Sequence, residues 1–381
     1  MSFTIREKCI FCDSYLQNVF LKKDLNAYIG HYCIDTNFKR DIHKIPYNIF
    51  ICNKCKTIQN KYLGNLNLVY LFGHNEGIGK LYDDMHKIFS NLILENEKIN
   101  NIIEIGASVG TLSNLILKNN DSVNYTIVEP NNEEQSSNRK KIIKLFVEDI
   151  DKNIISKNDT LVMSHILEHF YKPKDILDKL LFNTNIENFY LCWPDLDYYI
   201  KNNVLNVLTM EHTFYIDLNF LINFLKSRFN FTLSKKIKFK NHSIFLYFKR
   251  SNTNIININL INDNIPNKIE NYFNKVSLTI KKINNILKTN NDNKIYLWPC
   301  SIHNLFLLKF NEFDINNIEA FLDNSKNKID KRVYGINKKC LSFNNIINDN
   351  NLNKVIILNG GPFNYELEKI CKDKNIKYYI I

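Results

Sequence analysis

The middle of the chain alternates short apolar runs with longer segments in which apolar residues recur at helical spacing. The apolar runs, between residues 101 and 250, are NIIEIGASVG, NYTIVEP, KLFVEDI, DTLVMSHILEH, NFYLCWP and HSIFLYFKR. Such runs, separated by helical stretches, are typical of a parallel sheet with helices on both faces. The pattern predicts an α/β domain over residues 76–252, with an antiparallel pair of strands at its end.

Two further segments flank this domain. Residues 1–75 contain short strand-like pieces, and residues 253–381 begin with a polar stretch and a helical run that ends near Leu287. The last segment then restarts the α/β pattern with KIYLWPC, IEAFLDNS and KVIILNGG. The chain has 381 residues, which is more than a single hydrophobic core usually supports. We therefore expect three domains, of which the third is a smaller Rossmann-like domain.

Charge favours anionic partners only weakly. The chain has 50 Lys and Arg residues against 39 Asp and Glu residues, a formal net charge of +11. Its lysines are dispersed, however, and its richness in Asn, Ile and Lys is what an AT-rich genome would impose. Nucleic acid is therefore disfavoured as a partner.

The first residues, MSFTIREKCIFC, lack the features of a secretion signal. No apolar run reaches the length of about 18 residues that predicts a membrane span. We expect a cytoplasmic protein without a membrane partner, present as a monomer or homodimer.

Four of the nine cysteines form two CxxC pairs, Cys9 with Cys12 and Cys52 with Cys55. Each CxxC turn directs two sulfurs toward one point, so two turns supply four thiolates for tetrahedral zinc. Four thiolates leave no position for water, and the metal is expected to be structural; redox pairs or chance are the alternatives. Between the pairs lie three further possible ligands, His31, Cys33 and His43. The cysteines outside the pairs are interpreted as small core residues: Cys33, Cys192, Cys300, Cys340 and Cys371.

The segment IIEIGASVGTLSNLIL predicts a strand, a turn of small residues and the start of a helix. Gly106 and Gly110 allow the backbone to pass close to a ligand. The dinucleotide fingerprint GxGxxG would need glycine where Ser108 and Thr111 stand, which disfavours NAD.

Acidic residues around this turn fit S-adenosylmethionine better. Glu104 precedes the turn, and Glu129 follows the next strand in VEP. A carboxylate such as that of Glu129 can accept hydrogen bonds from both hydroxyls of a ribose. At the predicted end of the third strand, Glu148 or Asp149 could contact the adenine amino group, with a solvated acidic turn as the alternative.

The segment DTLVMSHILEHFYKP resembles the fourth-strand signature of class I S-adenosylmethionine-dependent methyltransferases, in which HxLEH follows the strand. Together with the CxxC pairs, EIGASVGTLS, VEP and the EH of LTMEHTFYI, it resembles the three-domain sugar C-methyltransferases, such as deoxysugar 3-C-methyltransferases. These enzymes have a zinc-binding N-terminal domain, a class I methyltransferase domain and a C-terminal Rossmann-like domain. The resemblance follows the whole chain in order and implies a nucleotide-linked keto sugar as substrate.

The resemblance also implies catalytic roles. In that family a base removes the proton beside a ketone, and the enolate attacks the methyl group of the cofactor. Glu211 and His212 match the family's Glu-His pair, with His212 as the base, and His165 matches the histidine that supports the oxyanion. Thr209 stands where the family has tyrosine, so O-methylation of a sugar hydroxyl is an alternative.

Other interpretations remain open. A zinc-finger RNA methyltransferase would use the charge, although the chain lacks the motifs of amino-group and cytosine methylation. A non-catalytic scaffold would not need the glycines and Glu129 together. Glu211 and His212 could instead satisfy a buried loop, and His165 and His169 could be packing residues on one helical face. Residues suggested for the substrate cleft or for substrate binding are Tyr82, His86, Asp323, Lys326 and Gly335.

Overall fold

The computed structural model contains a seven-stranded sheet in the middle of the chain, a four-stranded sheet made mostly of N-terminal strands and a five-stranded C-terminal sheet. The structure describes residues 3–22, 33–34, 45–70, 79–202, 204, 208–240, 242–251, 260–308, 310, 312–347 and 353–381. His31 and His43 lie outside these residues. In the ranges given, no helix combines the length and apolar character needed to cross a membrane.

The N-terminal segment is made of short elements. They are β1 (Phe3–Ile5), β2 (Asn18–Lys22), β3 (Cys33–Ile34), β4 (Asn48–Ile51), β5 (Ile58–Asn60), β6 (Tyr62–Gly64) and α1 (Leu66–Val69). Strands β2, β4 and β5 are antiparallel neighbours, and β1 pairs with β6.

The central segment alternates strands and helices. Its elements are α2 (Lys80–Leu94), β7 (Asn101–Ile105), α3 (Thr111–Asn119), β8 (Asn124–Val128), β9 (Lys140–Ile143), α4 (Lys152–Ile155), β10 (Thr160–Ser164), α5 (Pro173–Leu181), β11 (Asn188–Pro194), α6 (Leu196–Lys201), β12 (Phe214–Tyr215), α7 (Leu218–Phe229), β13 (Phe231–Phe239) and β14 (Ser243–Arg250). The sheet order is β13-β14-β11-β10-β7-β8-β9, and only β14 runs antiparallel to its neighbours β11 and β13.

Both faces of the central sheet are covered. In β10, Leu161 and Met163 pack with α5 and α7, whereas Val162 packs on the opposite face with α2 and α3. Burial on both faces explains the continuous apolar runs that predicted a parallel sheet. The chain order reverses between β7 and β10, which makes their carboxyl ends the expected place for a ligand. This arrangement confirms the predicted α/β class and is consistent with the class I methyltransferase fold.

The predicted third strand was wrong in position. KLFVEDI was expected to form it, but the strand is β9, and Val147–Asp149 form a 3-10 turn. The strand ends because the amide of Leu145 donates to the carbonyl of Ile143 at 3.1 Å, which closes a turn. Glu148 therefore lies in a turn and not at the end of a strand.

The C-terminal segment begins with the long helix α8 (Ile265–Thr289), which ends close to the predicted Leu287. Its other elements are β15 (Lys294–Trp298), α9 (Ile302–Leu307), β16 (Ala320–Leu322), β17 (Arg332–Val333), β18 (Cys340–Leu341), α10 (Phe343–Ile347), β19 (Lys354–Leu358), α11 (Asn364–Asp373) and β20 (Lys377–Ile380). The sheet order β18-β16-β15-β19-β20 is parallel throughout. The three predicted strands of this segment are β15, β16 and β19.

Two strand pairings join distant parts of the chain. Strand β12 pairs with β5, which attaches residues just after LTMEHT to the N-terminal sheet. Strand β3 pairs with β17 of the C-terminal segment. The predicted domain boundaries remain predictions, but the N-terminal segment contacts both of the others.

Candidate functional site

A cavity of about 780 Å³ opens at the carboxyl ends of β7, β8 and β10. The turn after β7, the residues after β8 and β10, and the loop before β12 all contribute to its lining. The C-terminal segment adds Ile302 and Asn327. Its position at the strand-order reversal and its size are those of a small-molecule site.

The turn after β7 brings its backbone close to the side chain of Ile166, and the predicted close approach to a ligand stays a prediction. Gly106 has a φ of +74°, and a Cβ atom there would lie 2.5 Å from Cγ1 of Ile166. Ser108 has a φ of 49°, and Gly110, with a φ of 81°, precedes the first turn of α3. Gly106 and Ser108 line the cavity, whereas Gly110 is not among the described residues that line it.

Replacing Gly106 with alanine should lower the thermal unfolding temperature by several degrees. A left-handed backbone costs an L-residue about 1–2 kcal/mol, and the new methyl group would also displace Ile166. The matched control is Ser108→Gly, which removes a side chain from another left-handed position and should cost less. Equal unfolding temperatures for wild type and Gly106→Ala would contradict the strain argument.

The carboxylate of Glu129 is held by backbone amides at the cavity wall. Its Oε2 accepts from the amide of Ser108 at 3.3 Å, and its Oε1 accepts from the amide of Asn131 at 3.0 Å. Glu104 lies deeper in the wall, where Tyr125 donates its hydroxyl to Oε2 at 2.9 Å. A carboxylate has about four acceptor positions, more than these two amides use.

The cavity is acidic, although the protein as a whole is basic. Of the two acids left open by the sequence, Glu148 is in the described lining, and burial raises the pKa of its carboxyl. No Lys or Arg occurs among the described residues that line the cavity. A cationic ligand is therefore favoured. The acidic lining residues are Glu104, Glu129, Glu133, Glu134, Glu148 and Glu168.

His212 lines the cavity from the loop before β12. Its amide donates to Oγ1 of Thr209 at 3.3 Å, and its carbonyl accepts from Nδ2 of Asn60 at 3.0 Å. Thr209 thus shapes the loop through its hydroxyl, and is itself buried. Glu211, beside His212, is buried outside the described lining of the cavity.

Arg6 of the N-terminal segment fixes the same loop. Its guanidinium donates to the carbonyl of Thr213 at 2.8 Å, of Asn60 at 3.1 Å and of Tyr171 at 2.7 Å. Burial lowers the pKa of Arg6 to about 9, so the group stays charged at neutral pH. The N-terminal segment therefore sets the position of His212.

Glu168 connects the histidines on the two sides of the cavity. Its buried carboxylate lies 3.5 Å from Nδ1 of His165. One carboxylate oxygen and one ring nitrogen each of His169 and His212 lie within 4.8 Å of one another. The ring of His169 also contacts Tyr70, whose hydroxyl is 3.2 Å from Nδ1. An anion in this position stabilises a protonated imidazole nearby.

His165 is fixed at both ring nitrogens. Its Nε2 is 2.8 Å from Oγ of Ser243, and its Nδ1 faces Glu168. It has a φ of 50° and precedes the 3-10 turn Leu167–His169, so His165 and His169 do not share a helical face. To donate to a substrate oxygen, His165 would have to exchange one of these two contacts.

Two other histidines line the cavity. Burial, with a smaller contribution from His165, lowers the pKa of His86 to about 4 and that of His242 to about 3. Both are therefore neutral and only weakly basic near pH 7. Tyr82, suggested as a cleft residue together with His86, also lines the cavity.

The two CxxC pairs converge outside the cavity. The Sγ atoms of Cys9 and Cys55 are 3.5 Å apart, and those of Cys12 and Cys52 are 3.4 Å apart. Both turns close in the same way, because the amide four residues after the first cysteine donates to its carbonyl at 3.0 Å. Zn–S bonds of about 2.3 Å would place tetrahedral sulfurs about 3.8 Å apart, so the four thiols fit zinc.

Sequence reasoning missed three parts of the site. Glu168 stood in the quoted HILEH but was given no role, although a carboxylate between histidines was a usable signal. Arg6 and Ser243 carried no such signal, because their contacts depend on residues far away in the chain.

No family model and no curated protein matches the chain. Among solved structures, the methyltransferase domain of the bacterial protein CtHen1 is 14% identical with a TM-score of 0.37, over 45% of this chain and 100% of that domain. The plantazolicin methyltransferase BpumL, solved with SAH, is 14% identical with a TM-score of 0.36, over 45% and 84%. An O-methyltransferase family protein from Burkholderia thailandensis is 10% identical with a TM-score of 0.34, over 45% and 57%. Identities this low leave the reaction of this chain to be inferred from its own residues.

Proposed function

We propose that the chain is an S-adenosylmethionine-dependent methyltransferase that methylates the carbon next to the carbonyl of a nucleotide-linked keto sugar. The observation that carries the proposal is that one cavity contains both the amide-bound carboxylate of Glu129 and the imidazole of His212. The first is suited to bind a ribose, and the second is suited to remove a proton.

The cofactor end of the cavity lies at the turn after β7. Glu129 would accept from the ribose hydroxyls, the backbone around Gly106 would allow close approach, and Glu148 would face the adenine amino group. When bound, S-adenosylmethionine supplies a methyl group on a sulfonium cation. The acidic lining complements that positive charge.

Replacing Glu129 with glutamine should weaken S-adenosylmethionine binding by about 10- to 100-fold. The change removes charge-assisted hydrogen bonds, each worth about 1.5–3 kcal/mol. Isothermal titration calorimetry measures the effect, and Glu133→Gln, which removes one charge from an exposed lining residue, is the control. Similar dissociation constants for the two variants would argue against a specific contact of Glu129 with ribose.

The acceptor end lies at His212. Its imidazole would take the proton from the carbon beside the carbonyl, and Glu168 would stabilise the imidazolium that forms. The lowered pKa values of His86 and His242 make these neighbours poor alternatives for the base. Glu211 would act indirectly, by holding the loop.

The charge of the cavity constrains how a nucleotide sugar would lie. Its diphosphate is expected outside the acidic lining, with only the sugar ring inside. Lys326 is exposed and adjacent in sequence to the lining residue Asn327, which makes it the candidate cation at the mouth. Asp323 is instead buried against Lys328 at 2.9 Å, and Gly335 has a φ of 88°, so both are interpreted as structural.

The test is transfer from methyl-labelled S-adenosylmethionine to a panel of keto and reduced nucleotide sugars. We expect product with keto sugars only. With a keto sugar deuterated at the carbon next to the carbonyl, C-methylation requires loss of that deuterium, which mass spectrometry of the product detects. If no sugar accepted a methyl group while the cofactor bound normally, the sugar substrate would be excluded, but the proposal of a methyltransferase would stand.

O-methylation is the second candidate. It is favoured by Glu168, His169 and His212, whose ligand atoms are close enough to hold a divalent cation that would stabilise an alkoxide. In that case the deuterium next to the carbonyl would persist in the product. A chelator too weak to remove zinc from the two CxxC pairs would also stop transfer, without changing cofactor affinity.

A structural zinc ion bound by Cys9, Cys12, Cys52 and Cys55 is part of the proposal. All four sulfurs lie within 4.8 Å of one another, and three of the four residues are buried. Four thiolates complete the tetrahedron, so the ion would hold the N-terminal segment and take no part in methyl transfer.

A further inference from the structure

Three cysteines that are far apart in the sequence meet between the N-terminal and C-terminal segments. The Sγ atoms of Cys33, Cys300 and Cys340 all lie within 4.8 Å of one another. Those of Cys33 and Cys300 are 3.6 Å apart, across a sequence separation of 267 residues. We refer to these three residues as the three-thiol cluster. Their interpretation as separate core residues was incomplete, whereas Cys192 and Cys371 are indeed isolated in the core.

We propose that the three-thiol cluster binds zinc or a similar thiophilic divalent cation, at a site separate from the two CxxC pairs. Such ions prefer thiolate ligands, and Zn–S bonds of about 2.3 Å separate the sulfurs by about 3.8 Å. The 3.6 Å separation in the cluster is close to this value and to the 3.5 and 3.4 Å separations in the CxxC pairs.

The backbone holds each thiol independently. Cys33 lies on β3, which pairs with β17, where it faces Val333 in register. Cys340 opens β18, which pairs with β16 at the edge of the C-terminal sheet. Cys300 follows β15, and its amide donates to the carbonyl of Leu322 at 2.6 Å. Three elements thus converge on one point without any CxxC turn.

The surroundings place an ammonium group beside the cluster. Three thiolates with one divalent cation carry a net charge of −1, which is costly to bury without a partner. The largely buried Lys328 donates its ammonium to the carbonyl of Cys300 at 2.8 Å and to Asp323 at 2.9 Å. The ammonium is therefore fixed next to the cluster, and Asp323 compensates its charge.

A disulfide is the main alternative, but it explains the arrangement less well. A disulfide would use two of the three thiols and would leave the third buried beside it with no role. Cys300 and Cys340 are fully buried, whereas Cys33 is partly exposed, so a fourth, exchangeable ligand such as water could approach from the side of Cys33. The site would then tie residue 33 to the C-terminal sheet.

The test is the zinc content of the full-length chain, purified with a thiol reductant and measured by elemental mass spectrometry. Cys300→Ser and Cys340→Ser should each contain one zinc ion per chain fewer than wild type. Cys371→Ser removes a buried thiol of the same sheet domain and should leave the content unchanged. Cys52→Ser removes the ion of the CxxC pairs and, by unfolding the N-terminal segment, would release Cys33 as well. Cys300→Ser and Cys340→Ser are therefore the variants that isolate the three-thiol cluster.

Cys33→Ser controls for a folding defect in the other two variants. Because Cys33 is partly exposed, its replacement should perturb the core least. Substituting cobalt for zinc should give thiolate-to-cobalt absorption that decreases in Cys33→Ser while its circular dichroism matches wild type. Unchanged zinc content and unchanged cobalt absorption in the cluster variants would overturn the proposal. So would a disulfide within the cluster, detected from the denatured and alkylated mass of wild type purified without reductant.

Discussion

Replacing His212 with glutamine should slow methyl transfer by about 10²- to 10⁴-fold and leave the affinity for S-adenosylmethionine unchanged. Glutamine keeps the approximate size of the side chain but cannot accept a proton at neutral pH. The loop around position 212 should persist, because it is held by backbone contacts to Thr209 and Asn60. Single-turnover transfer to the accepted sugar, with calorimetry of cofactor binding, measures the two effects separately.

The pH profile distinguishes loss of a base from a positional defect. If His212 is the base, the wild-type rate rises with pH as the imidazole loses its proton, and this rise should disappear in His212→Gln. The comparison variant is Glu211→Gln, since Glu211 is buried outside the described lining. It should keep the rise, at a lower rate. If His212→Gln retained both the rate and the pH profile of the wild type, another group would have to be the base.

How much of the fold the sequence predicts depends on how each strand is buried. Strand β11 is buried along its whole length, and β10 nearly so, which gives apolar runs with no competing interpretation. Strand β9 is the edge of the sheet, and its sequence KKII begins with two lysines. The apolar residues that suggested a strand, Phe146 and Val147, therefore lie after β9, where they line the cavity.

In the candidate site, the residues in short motifs could be predicted, and those that depend on distant contacts could not. Glu129 and His212 were found because each stands in a short motif, and the strand ends bring these motifs to one cavity. Arg6 was not found, because its partner Thr213 is 207 residues away. The three-thiol cluster was not found for the same reason. Contacts across such separations depend on how the segments pack, and no local spacing encodes them.

Removing the metal from the two CxxC pairs should unfold the N-terminal segment and release the loop that carries His212. Structural zinc contributes about 10–16 kcal/mol in small zinc-binding peptides, more than the short strands β4 and β5 can replace. Loss of β5 removes the partner of β12, and loss of Arg6 removes its bonds to the carbonyl of Thr213. Hydrogen exchange should therefore accelerate in residues 45–64 and 208–216 together.

The central sheet provides the internal reference for this experiment. Its strands β7, β10 and β11 pair with one another and are buried on both faces, so their amides should stay protected when the metal is removed. Cys52→Ser should reproduce the effect of a chelator, whereas Cys192→Ser, a buried cysteine of β11, should not. Protection that persists in residues 45–64 of the metal-free chain would show that the N-terminal segment folds without the ion. If only residues 208–216 lost protection, the coupling between the metal and the loop that carries His212 would have to run through contacts other than β5.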